Sequence, residues 1–415
     1  MALKDNEKWS HTIVLSFTEH TYSAFMKDNQ LAHKIICDEF SSHPELFPNG
    51  MSSGYKLNGK TRISQKLGMR MRKIVIGGVN FQIRPSFVLP YMRAKTADVS
   101  GPMFLLRFGV PFWALTIVFG RNPMYWYRLF LSFGSFSLVG TTIHHPDRLP
   151  EDVLADEHHT RIRGQRAYIA TTIARGCILG VEATLSACEK ALEEAYQVFK
   201  DEAQYLKTTY QPKTVNTDGW FATQNVWQTL FPAIFVVECF LHAYLKVRDR
   251  ATKKLAKFFE TAADKVWLCY TADSKRSLSQ QLRRLAEWAT HSLPDSPMKD
   301  NLFKLCTKKK RWLAHFDFPN AYRTSNMLDR IMKFMNRHAF NSQMFHSTIE
   351  ATSKNFRAFA LIHNFSPYSP AVSAKDPVLN TPTAKLNGFV YHHNWLQNLM
   401  IAASLNGYRQ HSNPL

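Results

Sequence analysis

The chain has 415 residues, more than one ordinary domain needs and enough for two or three. Hydrophobic residues make up 45% and aromatic residues 13%, so there is ample material for a packed core. The 52 lysines and arginines exceed the 32 acidic residues, which gives a formal charge of +20. A protein this basic is attracted to polyanions, of which nucleic acid is the usual one, although positive charge can also serve solubility alone.

Neither a secreted nor a membrane protein is expected from the sequence. Residues 1–8 lack the basic-then-apolar order of a signal peptide. The most apolar stretch, Pro102 to Phe119, is interrupted by Arg107 and Pro111 and is short for a bilayer span, so we predict a buried helix there. The six cysteines form no C-x-x-C pair, which argues against a zinc ribbon and a disulfide framework. We therefore expect reduced thiols and a cytoplasmic protein, associated with the nucleoid if the source is a prokaryote.

Residues 1–97 are predicted to form an N-terminal basic region. Its segment 51–97 contains ten basic residues and no acid: Lys56, Lys60, Arg62, Lys66, Arg70, Arg72, Lys73, Arg84, Arg93 and Lys95. A block of one sign can be an ordinary solvated face, but it more often marks a surface that faces phosphates. Within it, the segments Lys73–Ile76 and Val79–Ile83 alternate in hydrophobicity as strands do.

Residues 98–150 are predicted to be helical. Gly101-Pro102 opens a first helix, Val110-Pro111 starts a second that ends at Gly120, and Asn122-Pro123 caps a third that ends at Gly134. Two short helices joined by a tight turn suit a helix-turn-helix DNA-binding module, although any compact helical subdomain gives a similar pattern. Residues 144–150 then have the composition of a linker.

From residue 151 the pattern is α/β. Apolar runs predict three strands at 153–156, 166–174 and 177–183 and a helix at 185–206. They also predict a strand that runs into a turn over 214–219, and another strand at 233–237. Three strands, then a helix, a strand, a helix, a strand and a helix is the order in which a ribonuclease H-like sheet begins. Residues 251–320 are helical in pattern and rich in lysine and arginine. We predict that they are an all-helical insertion between the first part of the core (151–250) and its completion with the C-terminal tail (321–415).

Two acids are placed where a metal-dependent nuclease needs them. Asp156 ends the first predicted strand of the core and Asp218 ends the fourth. Because these strands are neighbours in a ribonuclease H-like sheet, their carboxylates can meet at one edge and hold Mg²⁺, which prefers oxygen ligands. The spacing alone is only suggestive, since strand-end aspartates are common and Asp-Gly is an ordinary turn.

Three motifs occur in order along the chain, and the first of them contains Asp218. Val215 to Gly219 contains Asp-Gly at a strand end, Phe231-Pro232 follows, and Cys239 and His242 form a C-x-x-H pair. Further on, Thr324-Ser325-Asn326 precedes an acid within a predicted helix. This arrangement resembles the Mutator-like transposases and their bacterial insertion-sequence relatives. The resemblance covers roughly residues 151–365 and none of residues 1–150.

The resemblance implies a DDE/D transposase that cleaves the DNA ends of a mobile element and joins the freed 3′-hydroxyl to target DNA. Its metal ligands would be Asp156, Asp218 and Asp329, with His242 as a further catalytic residue, and Mg²⁺ would be the ion, for which Mn²⁺ may substitute. The implied partners are the double-stranded DNA of element ends and target and further copies of the chain, as a homodimer or higher oligomer on DNA, with no membrane. A domesticated or inactive relative that only binds DNA is the alternative, and a structure-specific nuclease or RNA-processing enzyme on the same fold is a third possibility.

The third acid departs from the family pattern. The family usually has glutamate at this position, whereas Asp329 is one methylene shorter, so its helix must approach the sheet more closely. Asn326 is predicted to cap that helix and to direct Asp329 toward the sheet edge. Glu350, on another predicted helix, is the rival third ligand.

Other residues are assigned roles around this site. We predict phosphate contacts for two basic groups, Arg161, Arg163 and Arg166 and the run Lys308, Lys309, Lys310 and Arg311, with solubility as the alternative. Trp220 is predicted to stack on an unpaired base, and Trp227 to belong to the core. His158 and His159 are either exposed loop residues or phosphate contacts. Cys239 and His242 are too few to hold zinc. Either they are simply buried at a strand–helix junction, or His242 lies by the active site.

Overall fold

The computed structural model describes residues 10–408 apart from 66, 91, 93, 343 and 344. Within this part the protein is mixed α/β, as predicted, with two mixed sheets and many helices. The predictions for residues 1–8, Lys66 and Arg93 lie outside the described residues. No helix in the described part of the chain combines the length and the apolarity needed to cross a membrane.

The first sheet lies in the N-terminal region and has the strand order β1-β4-β3-β2. Its elements are β1 (Thr12–Leu15), α1 (Glu19–Lys27), α2 (Asn29–Ser42), β2 (Lys56–Lys60), β3 (Arg72–Ile76) and β4 (Val79–Pro85). β1 is parallel to β4, whereas β3 is antiparallel to both β4 and β2. The two segments that alternate in hydrophobicity are therefore strands, as predicted, and they form the hairpin β3–β4.

The basic block does not face solvent as a whole. Arg72 is only 1% exposed, and its guanidinium donates hydrogen bonds to the carbonyl oxygen of Phe25 at 2.7 Å and the side chain of Asn29 at 2.8 Å. Arg84 is also buried, and Lys95 forms an ion pair with Glu19 from outside the block. The prediction of a phosphate-facing surface is therefore wrong for the two buried arginines. Five members of the block are exposed: Lys56, Lys60, Arg62, Arg70 and Lys95.

Four helices follow the first sheet: α3 (Thr96–Leu106), α4 (Phe112–Phe119), α5 (Pro123–Phe133) and α6 (Leu138–Thr142). α4 and α5 have the predicted limits, and the Asn122 side chain caps α5 by accepting a hydrogen bond from the Tyr125 N–H at 2.7 Å. α3 begins five residues before the predicted start at Gly101 and contains Pro102 in its interior. The predicted division between residues 97 and 98 therefore falls inside this helix.

The apolar stretch that ends at Phe119 is not buried throughout. In α4 only Leu115 is buried, while Trp113, Ile117 and Val118 are 62%, 75% and 69% exposed. The prediction of a buried helix is therefore wrong for α4. α5 instead buries Trp126 and other apolar residues of its inner face. DNA reading by this helical segment stays a prediction.

The second sheet has the strand order β7-β6-β5-β8-β9. Its elements are β5 (Asp152–Ile162), β6 (Gln165–Ala174), β7 (Cys177–Thr184), α7 (Glu189–Leu206), β8 (Thr214–Thr217), α8 (Phe221–Leu230) and β9 (Phe235–Glu238). β5, β6 and β7 pair antiparallel, whereas β5, β8 and β9 are parallel. The predicted order of strands and helices is confirmed, and so is the prediction that the first and fourth strands are neighbours.

The strand β5 is longer than predicted. It pairs with β6 from Leu154 opposite Ile173 to Ile162 opposite Gln165, so Asp156 lies inside the strand and does not end it. The polar residues after Asp156 have a loop-like composition, but continuous pairing with β6 satisfies their backbone groups. His158 and His159 are therefore strand residues and not loop residues.

Helices cover both faces of the second sheet. On one face, α7 and α8 form a core with the odd-numbered residues of β5, such as Val153, and with Trp227, which is fully buried as predicted. On the other face lie α14 (Asn326–Asn341), which contacts β5, and α15 (Ile349–Phe365), which contacts β7 and α5. Successive strand residues point to opposite faces, so the side chain of Asp156 lies on the α14 face together with Leu154.

Residues 240–313 are almost entirely helical, which confirms the predicted helical content. They form α9 (Phe240–Arg248), α10 (Ala256–Tyr270), α11 (Lys275–Ser292), α12 (Pro297–Thr307) and α13 (Lys309–Leu313). These helices share an apolar core that includes Val266, Leu282, Leu302 and Trp312. The helical region lies between β9 and α14 in the chain, and α13 contacts the end of β9. Three short helices complete the described chain: α16 (Pro370–Ser373), α17 (Pro382–Asn387) and α18 (Trp395–Ala402).

Candidate active site

Asp156 lies in β5, and Asp218 directly follows the neighbouring parallel strand β8 of the second sheet. The pairing of β5 with β8 places Leu154 opposite Asn216, and continuing it by two residues places position 156 opposite position 218. Neighbouring strands are about 4.8 Å apart, and both residues have the parity that points to the α14 face. The sheet therefore brings two carboxylates together on one face.

The two carboxyl groups affect each other electrostatically. Burial raises the pKa of Asp156 to about 8, and the negative charges of Asp218 and Glu157 act in the same direction. A hydrogen bond donated by the Glu157 backbone N–H to Asp156 Oδ1 at 2.8 Å only partly opposes this rise in pKa. Two adjacent carboxylates are difficult to ionise together, and a bound cation relieves such repulsion.

A tight turn fixes Asp218 directly after β8. Its Oδ1 accepts a hydrogen bond from the Trp220 N–H at 2.9 Å, which closes the turn over Gly219. Gly219 has a φ of +96°, and a Cβ at this position would lie 2.6 Å from Glu238 Oε1. Only glycine satisfies both constraints at low cost, so the Asp-Gly pair is required by the geometry of this turn.

Asp329 belongs to a hydrogen-bonded group that joins the first turns of α9 and α14. The Ser325 N–H donates to Cys239 Sγ at 3.2 Å, and Ser325 Oγ donates to Asp329 Oδ2 at the same distance. His242 Nδ1 lies 3.3 Å from Ser325 Oγ. Cys239 and His242 are therefore held together with Ser325 and Asp329, which lie more than 80 residues later in the sequence.

The charge of His242 connects this group with the sheet acids. Its hydrogen bond with Cys239 raises the pKa of His242 to about 9 against the effect of burial, and the charges of Asp329 and Asp218 add to the rise. Burial opposes ionisation of the Cys239 thiol, but hydrogen bonds with His242 and Ser325 outweigh it and lower the pKa of that thiol. His242 thus carries a positive charge at neutral pH within the electrostatic range of both aspartates.

The start of α14 differs from the prediction by one residue. The N-cap is Ser325, whereas Asn326 is the first helical residue and is exposed, so the predicted capping by Asn326 is wrong. Ser325 is buried, and its contacts with Cys239 and His242 fix the chain just before the helix. Asp329 still lies in the first turn, on the side that faces α9.

The rival third acid lies in a different environment. Glu350 is exposed in the first turn of α15, and hydrogen bonds from its own backbone N–H and from Thr348 lower its pKa. Among the described residues, no group of three or more histidine, cysteine, aspartate or glutamate side chains stands close enough together to hold a metal ion. The structure thus pairs Asp156 with Asp218 and places Asp329 beside His242, without a closed set of three acids.

Glu157 is a buried acid that the sequence analysis did not single out. It points to the face opposite Asp156, where its Oε1 accepts hydrogen bonds from Tyr196 Oη at 2.7 Å and Thr223 Oγ1 at 2.8 Å. Burial raises its pKa to about 7. Because Tyr196 belongs to α7 and Thr223 to α8, Glu157 ties both helices to the strand that carries Asp156. In the sequence it is only an acid next to another acid, which gives no sign of this role.

Glu238 is a second acid that the sequence analysis missed. It ends β9, is 2% exposed, and forms ion pairs with Lys308 and, at 3.0 Å, with Arg311. Arg311 also donates to the side chain of Gln224 in α8 at 2.8 Å. Two of the four residues in the predicted DNA-binding run thus pair within the protein, while Lys309 and Lys310 are exposed. An acid at the end of a predicted strand was the available signal.

The other predicted contact residues differ in their exposure to solvent. Arg161, Arg163 and Arg166 are all exposed around the β5–β6 turn. His158 is buried and its Nε2 lies 2.8 Å from Asn336 Oδ1 of α14, so it is neither an exposed loop residue nor open to a phosphate.

The comparisons with known proteins give no relative. No protein-family model matches the chain, and no curated protein is found to be similar to it. The chemistry of the site is therefore argued from its own residues. Two neighbouring carboxylates can attract a divalent cation, and a histidine with a raised pKa can attract an anionic substrate.

Proposed function

We propose that this protein is a metal-dependent DNA transposase with a ribonuclease H-like core, and that residues 251–320 are a helical insertion in that core. The strand order supports this proposal, because an antiparallel three-stranded unit is extended by two parallel strands from its first strand. The acids on the first and fourth strands then share one edge. The net charge of +20 supports DNA as the substrate.

The observation that carries the proposal is the pair formed by Asp156 and Asp218. Burial and the charge of Asp218 raise the pKa of Asp156 to about 8. Among the described residues, the ion pairs involve neither of these two acids. Neighbouring carboxylates that are largely removed from water and form no ion pair are costly to ionise, and their hard oxygen atoms are the donors that Mg²⁺ prefers. The residues present therefore fit a magnesium site, to which Asp329 would add a third carboxylate.

The residues of the candidate site would have separate parts in the proposed reaction. A bound Mg²⁺ or Mn²⁺ would supply an activated attacking oxygen and stabilise the leaving oxygen. Asp156 and Asp218 would hold the ion, and the turn at Gly219 would keep Asp218 in place. His242, protonated at neutral pH, would attract the scissile phosphate to this edge. The exposed arginines at the β5–β6 turn and the exposed Lys309 and Lys310 would hold the flanking DNA backbone.

A cleavage assay tests the proposal. The full-length protein is incubated with labelled DNA that carries the sequences flanking its gene, with Mg²⁺ or Mn²⁺ and a target plasmid. We expect nicks that leave 3′-hydroxyl ends and products in which these ends are joined to the plasmid. Asp156→Asn and Asp218→Asn should abolish both products while DNA binding persists. Cleavage without joining would indicate a nuclease on the same fold, and wild-type activity in both variants would refute the proposed site.

A DNA-binding relative without catalytic activity is the second candidate. It is favoured by Asp329, which is shorter than the glutamate usual in the family and whose Oδ2 accepts a hydrogen bond from Ser325. Under this alternative the wild-type protein binds flanking DNA but cuts it with neither metal. The Asp329→Glu variant then provides a direct comparison, because restored cleavage would show that the loss resides at this position.

A further inference from the structure

Three aromatic side chains lie together on the α8 side of the second sheet, and the residue that follows one of them in the chain is a fourth aromatic. His159 and Tyr168 are directly opposite each other on β5 and β6, with ring centroids 5.0 Å apart, and the Tyr168 ring lies 6.3 Å from that of Trp220. Phe221 follows Trp220 and begins α8. We call these four residues the aromatic ledge: His159, Tyr168, Trp220 and Phe221.

Phe221 is the outermost member of the aromatic ledge. Its side chain is 73% exposed, although it follows Asp218 by only three residues. The bond from the Trp220 N–H to Asp218 Oδ1 fixes the turn that leads into α8, so Phe221 is held in place by the same turn as the acid. Trp220, which was predicted to stack on a base, is half-buried and packs on the core beside α8. Of the two aromatic residues at the start of α8, Phe221 is therefore the one whose ring is free to contact a substrate.

The charges around the ledge match a nucleic acid strand. Arg161 and Arg166 are paired across the β5–β6 hairpin, two residues beyond His159 and Tyr168, and both are exposed. Arginines interleaved with exposed aromatic rings are the combination with which proteins bind single-stranded nucleic acid, because the arginines contact phosphates while the rings stack on bases. An exposed apolar ring in a purely structural role has no need of such neighbours.

We propose that the aromatic ledge binds an unpaired base of a DNA strand that runs along the end of β8, with Phe221 as the stacking residue, while the paired acids lie on the opposite face of the sheet. This inference rests on the proposed function for the identity of the substrate, and it specifies the substrate as DNA with an unpaired nucleotide next to the cut. The base stacks on the Phe221 ring, and Arg161 and Arg166 contact the phosphates of the same strand. Duplex DNA, whose bases are already stacked, gains nothing from Phe221.

Phe340 provides a matched control for this residue. It is 72% exposed, almost as much as Phe221, and lies near the C-terminal end of α14. Its position is eleven residues after Asp329, which corresponds to roughly 16 Å along the helix. Because both rings are exposed, Phe221→Ala and Phe340→Ala should leave the stability of the protein almost unchanged.

The test compares two DNA probes in EDTA, where no cleavage takes place. One probe is a short duplex of arbitrary sequence with a single-stranded oligothymidine tail that contains 2-aminopurine, and the other is the same duplex with blunt ends. We expect the wild-type protein and Phe340→Ala to prefer the tailed probe and to change its fluorescence. Phe221→Ala should bind the tailed probe about fivefold or more weakly, with unchanged affinity for the blunt probe, and Phe221→Trp should restore the preference.

Two results would overturn the proposal. One is equal affinity of Phe221→Ala and Phe340→Ala for the tailed probe. The other is an equal loss for tailed and blunt probes in Phe221→Ala, because this would show a general contact and no stacking. Since the assay needs no metal, its result is separate from that of the cleavage assay. If Phe221→Ala loses the preference for the tailed probe but the wild-type protein cleaves no DNA, the proposed transposase activity is contradicted. The proposal that the aromatic ledge binds an unpaired base would still hold.

Discussion

Asp156 faces Asp218 across the parallel strands β5 and β8, and burial together with the charge of Asp218 raises the pKa of Asp156 to about 8. The ordinary pKa of an aspartate is near 4, so between these two values the folded protein binds a proton that the unfolded chain does not bind. By linkage, the titration of Asp156 contributes stability that is present at low pH and is lost as pH rises through this interval. Glu157, whose pKa burial raises to about 7, acts in the same direction.

The first prediction concerns this pH dependence. In EDTA, the free energy of unfolding of the wild-type protein should fall relative to that of Asp156→Asn between pH 5 and pH 8, because the amide of the variant does not titrate. At pH 8 we expect the variant to be more stable than the wild-type protein by about 1–3 kcal/mol. Urea unfolding at several pH values measures both quantities. An unchanged slope in Asp156→Asn would show that other groups cause the pH dependence.

The second prediction concerns the metal. Mg²⁺ should raise the melting temperature of the wild-type protein, and more so at pH 8 than at pH 6, because a proton must leave Asp156 before the ion binds. A concentration one hundred times the dissociation constant corresponds to about 2.7 kcal/mol of stabilisation. Thermal unfolding with and without Mg²⁺ measures the shift. Asp218→Asn is the control, and an equal shift in that variant would place the ion elsewhere.

The third prediction concerns the turn that holds Asp218. Gly219 has a φ of +96°, and an added Cβ would lie 2.6 Å from Glu238 Oε1, whereas Gly164 has a φ of +78° with open space around it. Gly164→Ala should therefore cost only the conformational strain, about 1 kcal/mol, while Gly219→Ala should cost about 2–4 kcal/mol and impair cleavage. Chemical unfolding and the cleavage assay measure the two effects. Equal losses of stability in both variants would mean that the contact between the added Cβ and Glu238 does not destabilise the protein.

Local patterns in the sequence were sufficient for the order of elements in the second sheet. Apolar runs and helical periodicity identified its strands, and the neighbouring positions of the first and fourth strands brought Asp156 next to Asp218. The length of β5 was missed because residues 157–161 are mostly polar, and only pairing with β6 keeps them in a strand. The N-cap of α14 was misplaced because the contacts of Ser325 with Cys239 and His242 come from a distant segment.

Buried charges were the least predictable feature. Arg72 was assigned to a phosphate-facing surface from its basic neighbours, yet it binds carbonyl oxygens at the end of α1. Lys308 and Arg311 were grouped with Lys309 and Lys310, yet a helical turn points the members of a short run in different directions. Their partner, Glu238, lies 70 residues or more away in the sequence. Such long-range pairing leaves no local pattern, which is why these residues could be assigned only from the structure.

The fourth prediction distinguishes the two pairs of residues in this basic run, Lys308 with Arg311 and Lys309 with Lys310. Glu238 is buried and pairs with Lys308 and Arg311, so Arg311→Ala should remove one of its two ion pairs and destabilise the protein by about 1–3 kcal/mol. The double variant Lys309→Ala/Lys310→Ala should fold normally, bind all DNA sequences more weakly and show a smaller salt dependence. Unfolding and salt-dependent binding assays measure these effects. A loss of stability in the double variant, with none in Arg311→Ala, would reverse the assignment.

The fifth prediction decides between the two possible third acids. Asp329 Oδ2 accepts a hydrogen bond from Ser325, whose Oγ lies 3.3 Å from His242, and the charge of Asp329 contributes to the raised pKa of His242. Glu350 is exposed, and its shifted pKa reflects its own backbone and Thr348. Asp329→Asn should therefore reduce cleavage by about a hundredfold or more, the order expected when a group that acts only in the transition state is lost, while DNA binding persists.

Glu350→Gln is the matched control, since it removes the same charge at the exposed position, and it should cleave like the wild-type protein. His242 provides an independent readout at equilibrium, because removing the charge of Asp329 should lower its pKa from the value of about 9, whereas Glu350→Gln should not change it. Titration of the histidine by NMR measures that shift in the absence of metal and DNA. Normal cleavage in Asp329→Asn together with loss of cleavage in Glu350→Gln would show that Glu350, in α15, is the third acid. An unshifted His242 in Asp329→Asn would show that the two side chains do not interact in solution.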